Sequence, residues 1–174
     1  MKNLLKSMDL EIFRPREYLE SIYSIDFARL RDLGFTAILM DLDETLLPRE
    51  MSDITPVLYS FLESIKDKGF QICLVSNNLN PDRVIKVSQA LSLPHVTLAV
   101  KPLPFAFDRA RKLLGVGRGQ AAVIGDQLFM DILGGNLAGL YTILVKPMTR
   151  ETSFWRRWMR KAERFVLGKL NYRV

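Results

Sequence analysis

Between residues 36 and 145, five short apolar runs alternate with amphipathic segments, and this alternation leaves few folds open. The runs cover 36–40, 70–75, 96–100, 121–124 and 141–145. They are continuously apolar rather than alternating, as strands covered on both faces are. The segments between them carry helix signals. Thr55-Pro56 and Asn80-Pro81 each read as an N-cap followed by proline at the first helical position. Expected helices cover 56–68, closed by Gly69, then 81–91, 104–114, closed by Gly115, and 128–138. Strand–helix alternation with short connections implies an α/β fold, a Rossmann-like five-stranded parallel sheet between helices. Such sheets bind ligands beyond the carboxyl ends of their strands.

The flanks divide the chain further. Residues 1–34 read as an N-terminal helical segment packed on the core, with Asp26 as a cap and Gly34 as a stop. Residues 35–149 form the core, and 150–174 a basic amphipathic C-terminal helix. The 174 residues suit one domain with a full hydrophobic core. Cys73 is the sole cysteine, so no internal disulfide can form, and a reducing compartment fits. No apolar run approaches the roughly 20 residues that cross a bilayer. The start of the chain lacks a signal-peptide apolar region, because Asp9 and Glu11 follow too soon. The expected location is cytoplasmic, or peripheral on the inner membrane face.

Four of the runs end on groups that carry chemistry. Asp41 and Asp43 follow the first, Ser76, Asn77 and Asn78 the second, Lys101 the third, and Gly125-Asp126 the fourth. Each alone has a plainer reading, since a strand-ending Asp is often a cap or turn former. Together, at equivalent places along one sheet edge, they can converge on one ligand. Three carboxylates and one ammonium suit a hard divalent cation plus a phosphoryl group.

These positions resemble the haloacid dehalogenase-like (HAD) phosphatases. Asp41-Leu42-Asp43-Glu44-Thr45 matches their first motif, Ser76 the second, Lys101 the third, and Gly125-Asp126 with Asp131 the fourth. The resemblance implies a HAD core and a phosphoric monoester hydrolase. Asp41 would be the nucleophile that forms an aspartyl-phosphate, and Asp43 the acid and then the base. Mg²⁺ would be held by Asp41, the Asp43 carbonyl and Asp126. Ser76 and Lys101 would stabilise the phosphoryl group. Thr45, Asn77 and Asn78 would support substrate and loop. Asp131 would orient the metal shell or Lys101 rather than bind the metal. The whole chain is most similar to the YqeG-type proteins of subfamily IIIA, through Arg14-Pro15-Arg16-Glu17-Tyr18, Ser76-Asn77-Asn78 and Lys101-Pro102. These resemble phosphatidylglycerophosphate phosphatases, which implies phospholipid metabolism.

Many HAD relatives close the site with an inserted cap. Once a helix and a strand are assigned, residues 46–75 leave about ten residues free, and 77–100 leave fewer, so no cap domain is expected. Residues 150–174 hold eight basic and two acidic residues, a balance equal to the whole chain's net charge of +6. Phe154, Trp155, Trp158, Met159, Ala162, Phe165, Val166 and Leu170 recur at helical spacing opposite Arg156, Arg157, Arg160, Lys161 and Arg164. One reading is an interfacial helix on anionic lipid; the other is a helix that packs its apolar face on the core. The expected partner is a phosphorylated substrate, a lipid phosphate first, with peripheral contact to anionic membrane; no nucleic acid is expected. A soluble phosphatase of nucleotide, sugar or protein phosphates is the alternative. A non-catalytic binding module fits less well, because every motif position is present.

Overall fold

The structure is a computed structural model that describes residues 10–149 and 153–172. Arg150, Glu151 and Arg173 of the basic tail, and residues 1–9 of the N-terminal segment, lie outside the described residues.

Six parallel strands form one sheet in the order β1-β6-β5-β2-β3-β4. They are β1 (Glu17–Leu19), β2 (Ala37–Met40), β3 (Gln71–Val75), β4 (His95–Val96), β5 (Ala121–Gly125) and β6 (Tyr141–Val145). The helices are α1 (Phe27–Asp32), α2 (Pro56–Asp67), α3 (Pro81–Ala90), α4 (Phe105–Leu113), α5 (Leu133–Leu137) and α6 (Phe154–Lys169). The central strands sort their residues with period two. Ile38, Met40, Ile72, Leu74, Ala122 and Ile124 pack on one face with Leu58, Leu62 and Ile65 of α2 and Val84 and Val87 of α3. Ala37, Leu39, Cys73, Val75, Ala121 and Val123 pack on the other with Ala106, Phe107 and Ala110 of α4. Both faces are dry, which is why these strands read as unbroken apolar runs.

Helix starts follow side-chain chemistry. Asp26, Thr55 and Asn80 each accept the amide of the residue three positions on, at 2.9, 3.2 and 3.3 Å. Gly69, at φ +82°, turns the chain out of α2 into β3.

The sheet has six strands rather than five. The sixth comes from the stretch expected to be helical: Glu17–Leu19 pairs with Ile143–Val145 at the sheet edge, and among the described residues before 34 helix is confined to residues 10–11, the short turn Ile22–Ser24 and α1. Three half-buried residues are too few to show a period. The third run also shortens. Only His95–Val96 pair with β3; Leu98 and Val100 sit at φ +46° and +55°, exposed, as the chain leaves the sheet toward Lys101. Finally, 128–138 is not one regular helix. A wide π turn over Leu128–Ile132 precedes α5, and it carries Asp131 into the interior.

Among the described residues no cap domain is inserted: between Thr45 and Ser76 the chain holds one loop, α2 and β3, and between Asn77 and Lys101 it holds α3 and β4. No helix among the described residues is long and apolar enough to cross a membrane.

Candidate active site

The carboxyl ends of β2, β3 and β5 bring Asp41, Ser76 and Asp126 to one edge, and the loop after β4 adds Lys101. All four are buried, with Asp43, Thr45 and Asp131. Asp41 continues the β2–β5 pairing by donating its amide to the Ile124 carbonyl at 2.9 Å, which fixes its main chain.

Lys101 is the hub. Its Nζ donates to Asp41 Oδ1 at 2.5 Å, Asp131 Oδ1 at 2.6 Å and the Val75 carbonyl at 2.9 Å. Burial works against the ammonium, but Asp131 and Asp41 outweigh it and raise the Lys101 pKa above the usual lysine value. Its main chain is held on both sides by one side chain: Lys101 donates its amide to Asn77 Oδ1 at 2.8 Å, and Asn77 Nδ2 donates to the Lys101 carbonyl at 3.0 Å. Asp131 is seated by the Gln127 amide, 3.0 Å from its Oδ2. Gly125 makes room for it, since a Cβ there would lie 2.2 Å from Asp131 Cγ.

Burial raises the pKa of Asp41 to about 7; Lys101 draws it down, while Asp131 and Asp43 push it up. Asp41 Oδ2 is buried and has no hydrogen-bond partner. Such an atom is costly unless a cation or ligand faces it. Oxygens of Asp41, Asp126 and Asp131 lie within 4.8 Å of one another, a donor set suited to a hard divalent cation. The residues therefore fit a metal.

Asp43 faces another way. Its Oδ1 accepts from Arg83 Nη1 at 2.6 Å; its Oδ2 accepts from Asn78 Nδ2 at 2.8 Å and Arg49 Nη1 at 3.3 Å. Asn78 in turn donates its amide to the buried Ser76 Oγ at 3.1 Å. Thr45 Oγ1 donates to Asp126 Oδ1 at 3.4 Å. The candidate site residues thus fall into three adjoining groups: Asp41, Asn77, Lys101 and Asp131; Asp43, Ser76 and Asn78; and Thr45 with Asp126.

Four contributors escape sequence reasoning. Arg49 and Arg83 hold Asp43 from the loop after β2 and the first turn of α3. Glu44, at φ +63°, accepts from Thr149 N at 2.9 Å, Thr149 Oγ1 at 2.7 Å and Arg49 N at 3.0 Å, tying the loop to the segment after β6. Burial opposes its charge, yet these donors hold its carboxyl below the usual range. The fourth is Arg160 of α6, expected on the outward basic face. It donates through Nη1 to the Asp126 carbonyl at 2.6 Å, and through Nη2 to Asp126 Oδ2. Its Nη1 also donates to Glu163 Oε2 at 3.1 Å, and Glu163 Oε1 accepts the Phe129 amide at 3.2 Å. Burial pushes both the Asp126 and Glu163 carboxyls up, against the pull of Arg160.

Only the C-terminal part of the apolar stripe of α6 docks: Leu170 is buried and Val166 packs against the Leu167 cluster. Glu163, Leu167 and Leu170 face the domain, with Leu167 packed against Leu128, Ile132 and Leu144. Phe154, Trp155, Trp158 and Phe165 are exposed by 73%, 71%, 56% and 67%, so most of the aromatic face is left out of the core.

A family model described as "HAD-hyrolase-like" matches residues 99–153. The chain is 37% identical over 160 residues to the "Probable phosphatase YqeG" of Bacillus subtilis, covering 92% of each chain. It is 25% identical over 174 aligned residues to "Phosphatidylglycerophosphate phosphatase 1, chloroplastic/mitochondrial" of Arabidopsis thaliana, covering 88% of this chain and 50% of that one. The chain therefore spans about half the length of the plant relative. Crystal structures of an uncharacterized protein from Listeria monocytogenes and a hypothetical protein from Xanthomonas campestris share the fold. Their TM-scores are 0.52 and 0.53 at 18% and 16% identity; they cover 79% and 86% of this chain, and 100% and 91% of their own chains. With 92% of each chain covered in the match to YqeG, the chain belongs to the YqeG-type HAD phosphatases.

Proposed function

We propose that the protein is a Mg²⁺-dependent phosphomonoesterase that works through a phosphoryl-aspartate on Asp41, and that its substrate is phosphatidylglycerophosphate in an anionic membrane. Asp41 carries the chemical part of this reading. It is buried, held on one oxygen by Lys101, and unpartnered on the other. That is a nucleophile oriented by a fixed cation, with one oxygen left for chemistry.

Asp41, Asp126 and the main-chain carbonyl of Asp43 would hold Mg²⁺, which supplies charge neutralisation to the phosphate dianion. The Asp41 carboxylate attacks phosphorus, and the bond from phosphorus to the ester oxygen breaks. Asp43 must enter this step protonated; it gives that proton to the departing alkoxide and is left as a carboxylate. Asp43 then takes a proton from water as the water oxygen attacks phosphorus. The bond to Asp41 breaks, and inorganic phosphate leaves. Lys101 would offset the phosphoryl charge as a fixed cation, and Ser76 would offer its hydroxyl to a phosphoryl oxygen. Arg83, Arg49 and Asn78 hold the Asp43 carboxylate in place. Asp131 positions Lys101.

Three observations support a lipid. A site without a cap admits a phosphate presented by a large surface. The exposed aromatics of α6, beside its arginines and lysines, have the composition of an interfacial helix on anionic lipid. The plant relative is named for phosphatidylglycerophosphate. Phosphate release measured across a panel of phosphomonoesters with Mg²⁺ tests the reading. Phosphatidylglycerophosphate in vesicles is expected to be the best substrate. Fast turnover of nucleotides, sugar phosphates or phosphopeptides, with none of the lipid and no vesicle binding, would replace it with a soluble phosphatase.

A further inference from the structure

A cavity of about 700 Å³ lies between α6 and the end of β6, and Asp126 lines it. It adjoins the candidate site through Asp126, whose carboxylate lies within 4.8 Å of those of Asp41 and Asp131. Its other polar lining is mainly cationic: Lys146, Arg157, Arg160, Lys161 and Arg164.

These cations are unequally matched. Both acids in the lining, Asp126 and Glu163, are taken by Arg160. Lys146 is held by Glu20 at 2.6 Å. Arg157, Lys161 and Arg164 have no carboxylate within ion-pair distance among the described residues; Lys161 Nζ lies over the Trp158 ring, 5.3 Å from its centroid. At positions i, i+4 and i+7 the three share one stripe of α6, where like charges repel. A stripe of cations along a cavity wall offers a ready seat for an anionic group.

We propose that this cavity is a subsite for a second phosphate of the substrate, on the Asp126 side of the phosphate that Asp41 attacks, bound by Arg157, Lys161 and Arg164. The proposal deepens the function given above and rests on it for the position of the scissile phosphate. The second phosphate can come from the phosphodiester of a lipid headgroup or from a soluble bisphosphorylated compound. The subsite selects either over a simple phosphomonoester.

The test compares kcat/KM for deacylated phosphatidylglycerophosphate, which carries both phosphates without acyl chains, with that for glycerol 3-phosphate, in the full-length protein with Mg²⁺. Wild type is expected to favour the first substrate by about tenfold or more, the worth of one or two charge-assisted hydrogen bonds. Lys161→Gln with Arg164→Gln is expected to cut that preference about tenfold. Arg164→Lys should retain most of it. The single exchange Arg164→Gln and a circular dichroism melt guard against loss of fold. A wild-type ratio near one, or a double-variant ratio within about twofold of wild type, overturns the subsite. Vesicle-borne phosphatidylglycerophosphate separates the two claims. If the preference holds on the deacylated substrate but the vesicle lipid is not hydrolysed, the subsite stands and the lipid reading falls. If the vesicle lipid is hydrolysed but the ratio ignores the substitutions, the subsite falls and the lipid reading stands.

Discussion

Arg160 grips Asp126 at two points, the main-chain carbonyl and the carboxylate, so the C-terminal helix is fastened to the end of β5 inside the phosphatase site. The same carboxylate belongs to the trio that suits a divalent cation. A cation bound through Asp126 Oδ2 would compete with Arg160 for that oxygen, while Oδ1 faces Thr45. Arg160→Gln should lower stability without metal by about 3 kcal/mol, because it leaves two buried carboxylates without their partner. It should also enlarge the rise in Tm on adding Mg²⁺. Thermal melts in chelator and in Mg²⁺ check this; equal metal-dependent rises in wild type and variant would contradict the competition.

The clamp on Asp43 predicts a graded loss. Asp43→Asn should slow turnover by roughly 10²–10⁴-fold, the usual worth of acid–base catalysis. Arg83→Gln keeps the carboxylate but removes its shortest ion pair, 2.6 Å long. It should lower kcat by about tenfold and shift the pH–rate profile, whereas a purely structural role would lower Tm and leave the profile in place. Steady-state kinetics across pH distinguishes them.

Gly125 predicts a steric effect at the site. An added Cβ would meet Asp131 Cγ at 2.2 Å, and Asp131 holds Lys101. Gly125→Ala should destabilise by about 2 kcal/mol or more, the scale of forced overpacking, and reduce turnover with it. A melt and an activity assay on the same preparation test this; a neutral substitution would mean Asp131 is free to move.

Cys73 lies in the middle of β3 with no exposed surface, and burial pushes its thiol up to about 12. At pH 8 it is therefore held as the unreactive thiol. A colorimetric thiol reagent should leave the native protein unmodified and titrate one thiol in denaturant. Rapid native modification would contradict the packing of β3.

Much of this site is legible in the sequence because strand ends are easy to place. Dry strands read as apolar runs, and the polar residue that ends such a run falls on the shared edge; Asp41, Ser76 and Asp126 are found this way, whereas Lys101 ends a run that leaves the sheet after Val96 and reaches the site on a loop. The caps Thr55 and Asn80 mark helix starts through local hydrogen bonds. What escapes depends on contacts distant in sequence. Arg160 sits on the polar arc of α6, and periodicity cannot say which edge of that arc meets the domain. The helix docks through Glu163, Leu167 and Leu170, not through its tryptophans. Glu163, one of two acids in a basic tail, is the nearest thing to a signal. Arg83 reaches Asp43 from across a loop, with only its closeness to Asn80 to mark it. β1 is too short to carry a pattern, and its pairing with β6 is visible only once the sheet is assembled.

The covalent phosphoryl-aspartate is the account's central claim. Wild-type protein should be mixed with Mg²⁺ and a turned-over phosphomonoester, quenched in acid, and analysed by peptide mass spectrometry. The peptide containing Asp41 is predicted to carry one phosphoryl group, borne by Asp41, and Asp41→Asn protein should show neither the adduct nor turnover. Turnover by the Asp41→Asn variant, or a phosphoryl group borne on another residue, would contradict it.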